Sequence, residues 1–161
     1  IDFDVRNTIL PERAEKTEEL IKPLCSGILR MSTFAIGAIV NLIVSQMSSS
    51  DSYVNVGVWN GFTLFSGMAG NGDKRCIGVD NFSAFGGPKE NFLANFNRLK
   101  SENHYFFELD YKKYFKEIHK GSIGVYYYDG DHSEENQCEG LWVAEKYLSK
   151  DAVIIIDDVN T

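Results

Sequence analysis

Between Tyr53 and Ile156 the chain alternates two kinds of apolar pattern. Short, nearly continuous apolar runs read as strands over residues 53–58, 75–79, 105–109, 123–128 and 152–156. Between them lie stretches with apolar residues three and four apart. These read as helices over 61–69, from Pro88 to about 100, over 111–119, and from a Ser133 cap through Leu148. In the second, Phe92, Leu93, Phe96 and Leu99 share a face; in the third, Tyr114, Phe115 and Ile118; in the last, Cys138, Leu141, Trp142, Ala144 and Leu148. Ahead of this alternation, residues 12–22 read as a solvated helix opened by Pro11, with Leu20, Ile21 and Leu24 as its apolar side. Pro23 is expected to end or bend it. Residues 32–47 are apolar almost throughout and long enough for a buried helix. Ser48 to Ser52 is a turn cluster. Repeated strand–helix alternation calls for an α/β fold: a doubly wound, mainly parallel sheet with helices on both faces, residues 1–52 forming an N-terminal helical extension and 53–161 the α/β domain.

The chain has 161 residues, enough for a single core, and 43% of them are hydrophobic. A formal charge of −7 without any Lys/Arg cluster excludes a nucleic-acid or anionic-membrane surface. Cys25, Cys76 and Cys138 are far apart and form no C-x-x-C pair, which points to reduced thiols in a cytoplasmic setting. The longest apolar stretch, 34–47, is too short to span a bilayer. The chain stops a few residues after its fifth strand. Further strands are therefore expected beyond Thr161, and without them a sheet edge is left for a second copy of the chain or another partner to cover.

The chemistry gathers at the strand ends. Tyr53 to Gly61 (Y-V-N-V-G-V-W-N-G) runs from an apolar strand into two glycines, Gly57 and Gly61, at the edge where α/β sheets bind ligands. No Lys-Ser/Thr pair follows, and the third glycine of a dinucleotide fingerprint is missing. Each later strand ends in an acid: Asp80, Asp110, Asp129, then Asp157 and Asp158. Any one of these could be a turn or cap residue. Asp80 stands 23 residues after Gly57, the distance at which an acid reaches ribose hydroxyls, so a nucleoside cofactor is expected.

The set V-N-V-G-V-W-N-G, I-G-V-D-N-F, Y-Y-Y-D-G-D-H-S and V-I-I-I-D-D resembles the class I S-adenosylmethionine-dependent methyltransferases. Within them it is most similar to the small-domain group that includes macrocin-type sugar O-methyltransferases. The resemblance covers residues 53 to 161 and implies a Rossmann-like strand order 3-2-1-4-5. It implies that Gly57, Trp59 and Gly61 wrap the methionine portion of S-adenosylmethionine, that Asp80 and Asn81 meet its ribose and adenosine, and that Asp110 lies beside the adenine. Asn55 stands where the family usually has an acid, and could still bond the cofactor's amino group. The resemblance also implies a divalent ion at Asp129, Asp157 and Asp158. An all-oxygen set of this kind favours Mg²⁺ or Mn²⁺, which would activate an acceptor hydroxyl.

His132 could then be the base that removes the proton, with Asp131 orienting it or adding a ligand. Equally, His132 could be a surface residue of a helical first turn. The expected reaction is O-methylation of a polar hydroxylated small molecule. A non-catalytic nucleoside-binding domain and a metal-dependent α/β hydrolase remain open. Phe82 to Gly87 could cover the adenosine or the acceptor, or simply pack on the next helix. His104, His119 and Trp142 read as packing or surface residues, Trp142 as core.

Overall fold

The computed structural model describes residues 15–159. The expected helix start at Pro11 to Arg13, and the chain beyond Val159, lie outside the described residues. Eleven elements follow one another: α1 (Glu15–Gly27), α2 (Phe34–Gln46), β1 (Asp51–Val56), α3 (Phe62–Met68), β2 (Arg75–Asp80), α4 (Lys89–Leu99), β3 (His104–Glu108), α5 (Tyr111–Glu117), β4 (Ser122–Tyr128), α6 (Glu134–Glu145) and β5 (Leu148–Ile156). The five strands form one sheet in the order β3-β2-β1-β4-β5. Every neighbouring pair is parallel. This is a Rossmann-like, doubly wound α/β fold, and the parallel direction brings all five carboxyl ends to one edge.

The strands are buried because both faces are covered, and side chains alternate between two cores. Tyr53, Val125 and Tyr127 join the core built with α1 to α4. Val54, Val56, Tyr126 and Tyr128 join the core under α5 and α6. In α1 the buried residues are Ile21, Leu24 and Ile28, one helical face. In α2, Asn41 is buried and donates through Nδ2 to the carbonyls of Ser66 and Ala69, both at 2.7 Å, which ties this helix to the end of α3. Both N-terminal helices thus share a core with the sheet. Among the described residues no helix is long and apolar enough to cross a membrane.

Several local expectations change. Pro23 lies inside α1 rather than ending it. Its position is solvent-exposed, so the carbonyl it leaves without an N–H can be hydrated. Ile118 is not inward but 36% exposed, because α5 ends at Glu117. α6 stops at Glu145, so Leu148 opens β5 instead of closing a helix. Trp142 is not a core residue: it is 69% exposed, while Gly140 and Ala144 form the inward face. The inward positions are small because the Tyr128 ring fills the space beneath Gly140.

Candidate functional site

The carboxyl edge opens into a cleft of about 600 Å³. Gly57, Trp59, Asp80, Asn81, Asp110, Asp129 and His132 line it, together with the loop from Phe82 to Phe85. The structure therefore gathers most of the expected cofactor residues in one place. Asn55, Gly61, Asp157 and Asp158 are not among the lining residues.

The floor is the junction of β1 and β4. Gly57 has φ +78°, and its N–H donates to Val79 O at 2.9 Å. A Cβ on Gly57 would collide with the backbone carbonyl of Asp129. Glycine is needed here for both reasons, the left-handed torsion and the close approach. Gly61 has a different task. It caps α3 at φ +94°, with the Phe65 ring where a side chain would go.

Asp80 holds the two cofactor-side loops together. Its Oδ2 accepts from the N–H groups of Val58 (2.8 Å) and Trp59 (2.9 Å), and Oδ1 accepts from Phe82 N (2.7 Å). Asn81 Oδ1 accepts from Ser83 N at 3.0 Å, continuing the turn. Asp110 caps α5, accepting from Lys112 N at 2.9 Å. Each of these residues lines the cleft and has a structural duty as well.

Asn55 departs from expectation. It is fully buried, and its Nδ2 donates to Tyr53 Oη (3.0 Å) and Thr63 Oγ1 (3.1 Å). Its strand position points it beneath α3 rather than into the cleft, so a direct contact with the cofactor's amino group is not what this geometry provides. Its Oδ1 is buried without a hydrogen-bond partner.

At the β4 and β5 ends the acids meet a histidine. His132 Nε2 lies 3.3 Å from Asp129 Oδ1, and its Nδ1 lies 3.3 Å from Asp158 Oδ2. The Asp129 carboxyl is pushed up to about 7 by burial first, then by the charge of Asp157; His132 opposes the rise. Asp157 N donates to Tyr128 O at 3.0 Å, which keeps the end of β5 beside β4. One histidine meets the acids of this half-buried corner, and their all-oxygen chemistry fits a hard divalent cation. Among the described residues, however, no three His, Cys, Asp or Glu side chains are gathered as a metal-holding group.

The other histidines are packing residues. His104 is buried, accepting at Nδ1 from Ser101 N (3.0 Å). His119 is buried against Tyr114 Oη (2.9 Å), and burial lowers it to about 4. Tyr111, Lys112, Asn136 and Met31 also line the cleft and had no signal in the sequence. Met31 comes from the α1–α2 connection, which nothing in the apolar pattern links to the strand ends. The loop from Phe82 does reach the cleft. Its Phe85 carbonyl accepts from the Trp59 indole Nε1 at 3.0 Å.

A parallel sheet ordered 3-2-1-4-5, with a glycine turn after β1 and an acid after β2 on the same edge, defines the architecture of class I S-adenosylmethionine-dependent methyltransferases. The family described as "Methyltransferase domain" matches residues 54–159, and the chain belongs to it. It is an S-adenosylmethionine-dependent methyltransferase. The fold is similar to that of a Klebsiella pneumoniae protein provisionally assigned as an O-methyltransferase, with a TM-score of 0.69 and 14% identity over 98% of this chain and 73% of that one. It is similar as well to an O-methyltransferase from Bacillus cereus in complex with SAH, with a TM-score of 0.63 and 14% identity over 96% and 72%. The cofactor-bound Rv0187 protein from MTB gives a TM-score of 0.66 and 14% identity over 94% and 68%. At such identities the likeness is one of fold. A comparison with curated proteins finds no match.

Proposed function

We propose that the cleft binds S-adenosylmethionine along Gly57, Trp59, Asp80, Asn81 and Asp110, and that the chain methylates a hydroxyl oxygen of a polar small molecule at the Asp129–His132 corner. The observation that carries this reading is the cleft itself, which gathers Gly57, Asp80, Asn81 and Asp110 beside Asp129 and His132, the last two 3.3 Å apart; burial also pushes the Asp129 carboxyl up to about 7. A carboxylate with that proton affinity is suited to general-base work near neutral pH.

The acceptor oxygen attacks the methyl carbon as the carbon–sulfur bond breaks. The products are a methyl ether and the neutral thioether S-adenosylhomocysteine, and the hydroxyl proton leaves to the base. Asp129 takes that proton. His132, with one ring nitrogen facing Asp129 and the other facing Asp158, holds the carboxylate in place and can pass the proton outward. The sulfonium is reactive by itself, so the chain's main contribution is alignment of donor and acceptor. With Asp129 kept as the base, Asp157 and Asp158 would hold Mg²⁺ or Mn²⁺ rather than the fuller set with Asp129, and the ion when bound lowers a hydroxyl's pKa. The oxygen-rich donor set supports this part of the reading. An O-directed reaction is consistent with the macrocin-type resemblance.

Calorimetric titration with S-adenosylmethionine and with NAD, each with and without Mg²⁺, tests it. Binding of the first and not the second is expected, with Mg²⁺ adding heat only in wild type and not in Asp157→Asn. Absence of heat with S-adenosylmethionine sinks the proposal.

A further inference from the structure

Four described non-glycine residues hold left-handed backbone torsions: Trp59 (φ 46°), Phe82 (φ 52°), Phe85 (φ 49°) and Asp158 (φ 53°). The first three lie where the loops after β1 and β2 are bonded to each other, through Asp80 and through the Trp59 indole. Asp158 lies apart from them, two residues beyond the end of β5. A torsion of this kind is sparsely populated for a residue with a side chain, and it persists where the surroundings hold it.

β5 is at the edge of the described sheet, with β4 as its neighbour. Asp157 N donates to Tyr128 O at 3.0 Å and ties the turn to β4. The Asp157 carbonyl is taken up from α6, where Gln137 Nε2 donates to it at 2.9 Å. Gln137 belongs to the first turn of that helix: its own N–H donates to the carbonyl of the cap residue Ser133 at 2.9 Å. His132 directly precedes Ser133. The histidine loop is braced as well, since Tyr128 Oη donates to Asp131 O at 3.2 Å and Asp131 Oδ1 accepts from Ser133 N at 2.9 Å.

One helical turn therefore joins both halves of the acid corner. Its amino end carries His132, and four residues after the cap it grips the Asp157–Asp158 turn. That spacing matters because the His132 ring faces acids from two different strands, 3.3 Å away on either side. Ordering a glutamine side chain costs about as much in lost rotamer freedom as one such hydrogen bond returns, so the bond adds little to stability. What it adds is placement. We propose that Gln137 is a positioning residue: through the Asp157 carbonyl it sets the two β5 acids against His132 and at the spacing a shared divalent cation needs. This rests on the reading of Asp157 and Asp158 as cation ligands. Gln137 itself touches neither cation nor substrate. Partners that orient metal ligands from behind typically change metal affinity by about ten- to a hundredfold when removed.

Mn²⁺ titration of the full chain, read from the paramagnetic resonance of the free ion, tests the assignment. Wild type is expected to bind Mn²⁺ and Asp157→Asn to bind none. Gln137→Met keeps the length and helix propensity of the side chain and removes its donor. The residue is half-buried, so the fold is kept. Tyr147→Phe is the comparison: it removes the bond from Tyr147 Oη to Phe115 O (3.1 Å) at the other end of β5, and reports what general loosening of this strand does. Gln137→Met should bind Mn²⁺ about tenfold more weakly or worse, and Tyr147→Phe within about twofold of wild type. Unchanged affinity in Gln137→Met would overturn the proposal and leave the cation reading standing. Equal weakening in Tyr147→Phe would do the same, by making strand stability the cause. Failure of wild type to bind Mn²⁺, or unimpaired binding by Asp157→Asn, would overturn the cation reading and the proposal with it.

Discussion

Gly57 and Asp129 touch: the first residue beyond β1 lies so close to the first beyond β4 that a methyl group on Gly57 would overlap the Asp129 carbonyl. Cofactor loop and proposed base are therefore one rigid contact, and what displaces one displaces the other.

Gly57→Ala should disturb both. The left-handed torsion alone costs a non-glycine residue about 1–2 kcal/mol, and the collision adds to it. A lower urea midpoint together with loss of S-adenosylmethionine binding is expected. A variant as stable as wild type that still bound the cofactor would show that the two loops move independently.

Asp129 gives a pH signature with a definite sign. Its folded value, about 7, lies above the ordinary 3.8, so the folded chain keeps a proton that the unfolded chain releases. The resulting stability is full below the ordinary carboxylate range and is lost as pH rises from there to about 7. In Asp129→Asn that decline should flatten, as thermal melts between pH 4 and pH 8 would show. Activity runs the opposite way in wild type, because the base must be ionised: kcat/KM should climb through pH 7. Loss of the base should lower kcat by about 10²–10⁴. An unchanged pH profile in Asp129→Asn would place the base elsewhere.

Asp80→Ala removes the acceptor for three backbone donors at once. Leaving such groups unsatisfied costs about 1–3 kcal/mol each where they stay dry. Faster hydrogen exchange at Val58, Trp59 and Phe82, with cofactor affinity falling in parallel, is the expected result. Slow exchange at all three would mean that the loops are held by other contacts.

Restoring the family's usual acid should not help here. Asn55→Asp replaces a donor to Tyr53 and Thr63 with a carboxylate in a fully buried site. A buried polar group without partners costs a few kcal/mol, more when charged, and the destabilisation should deepen as pH rises above the carboxylate range. A gain in S-adenosylmethionine affinity without loss of stability would reverse this view of the residue.

Much of this was legible in the sequence because strand ends in a parallel sheet obey simple rules. The apolar runs placed all five strands within a few residues, and the spacing from Gly57 to Asp80 anticipated two loops that prove to be joined by a carboxylate. The errors have a common cause, since they fall where packing decides and pattern does not. Trp142 looks like core because it is large, yet the face that α6 buries centres on Gly140, where the Tyr128 ring fills the space, and on Ala144, with Trp142 left outside. Asn55 looks like a cofactor residue because of its position in a motif, but strand alternation turns it under α3. Met31 could not be foreseen, since a turn between two helices carries no periodic signal of where it will land.

The left-handed torsions at Trp59, Phe82 and Phe85 have a consequence for how a ligand is received. A loop whose bends are fixed by its own backbone loses little further freedom on contact, so the entropic penalty of ordering is met during folding rather than at encounter. Association should then resemble docking onto a rigid surface, with a rate set by diffusion and orientation and with little dependence on loop rearrangement.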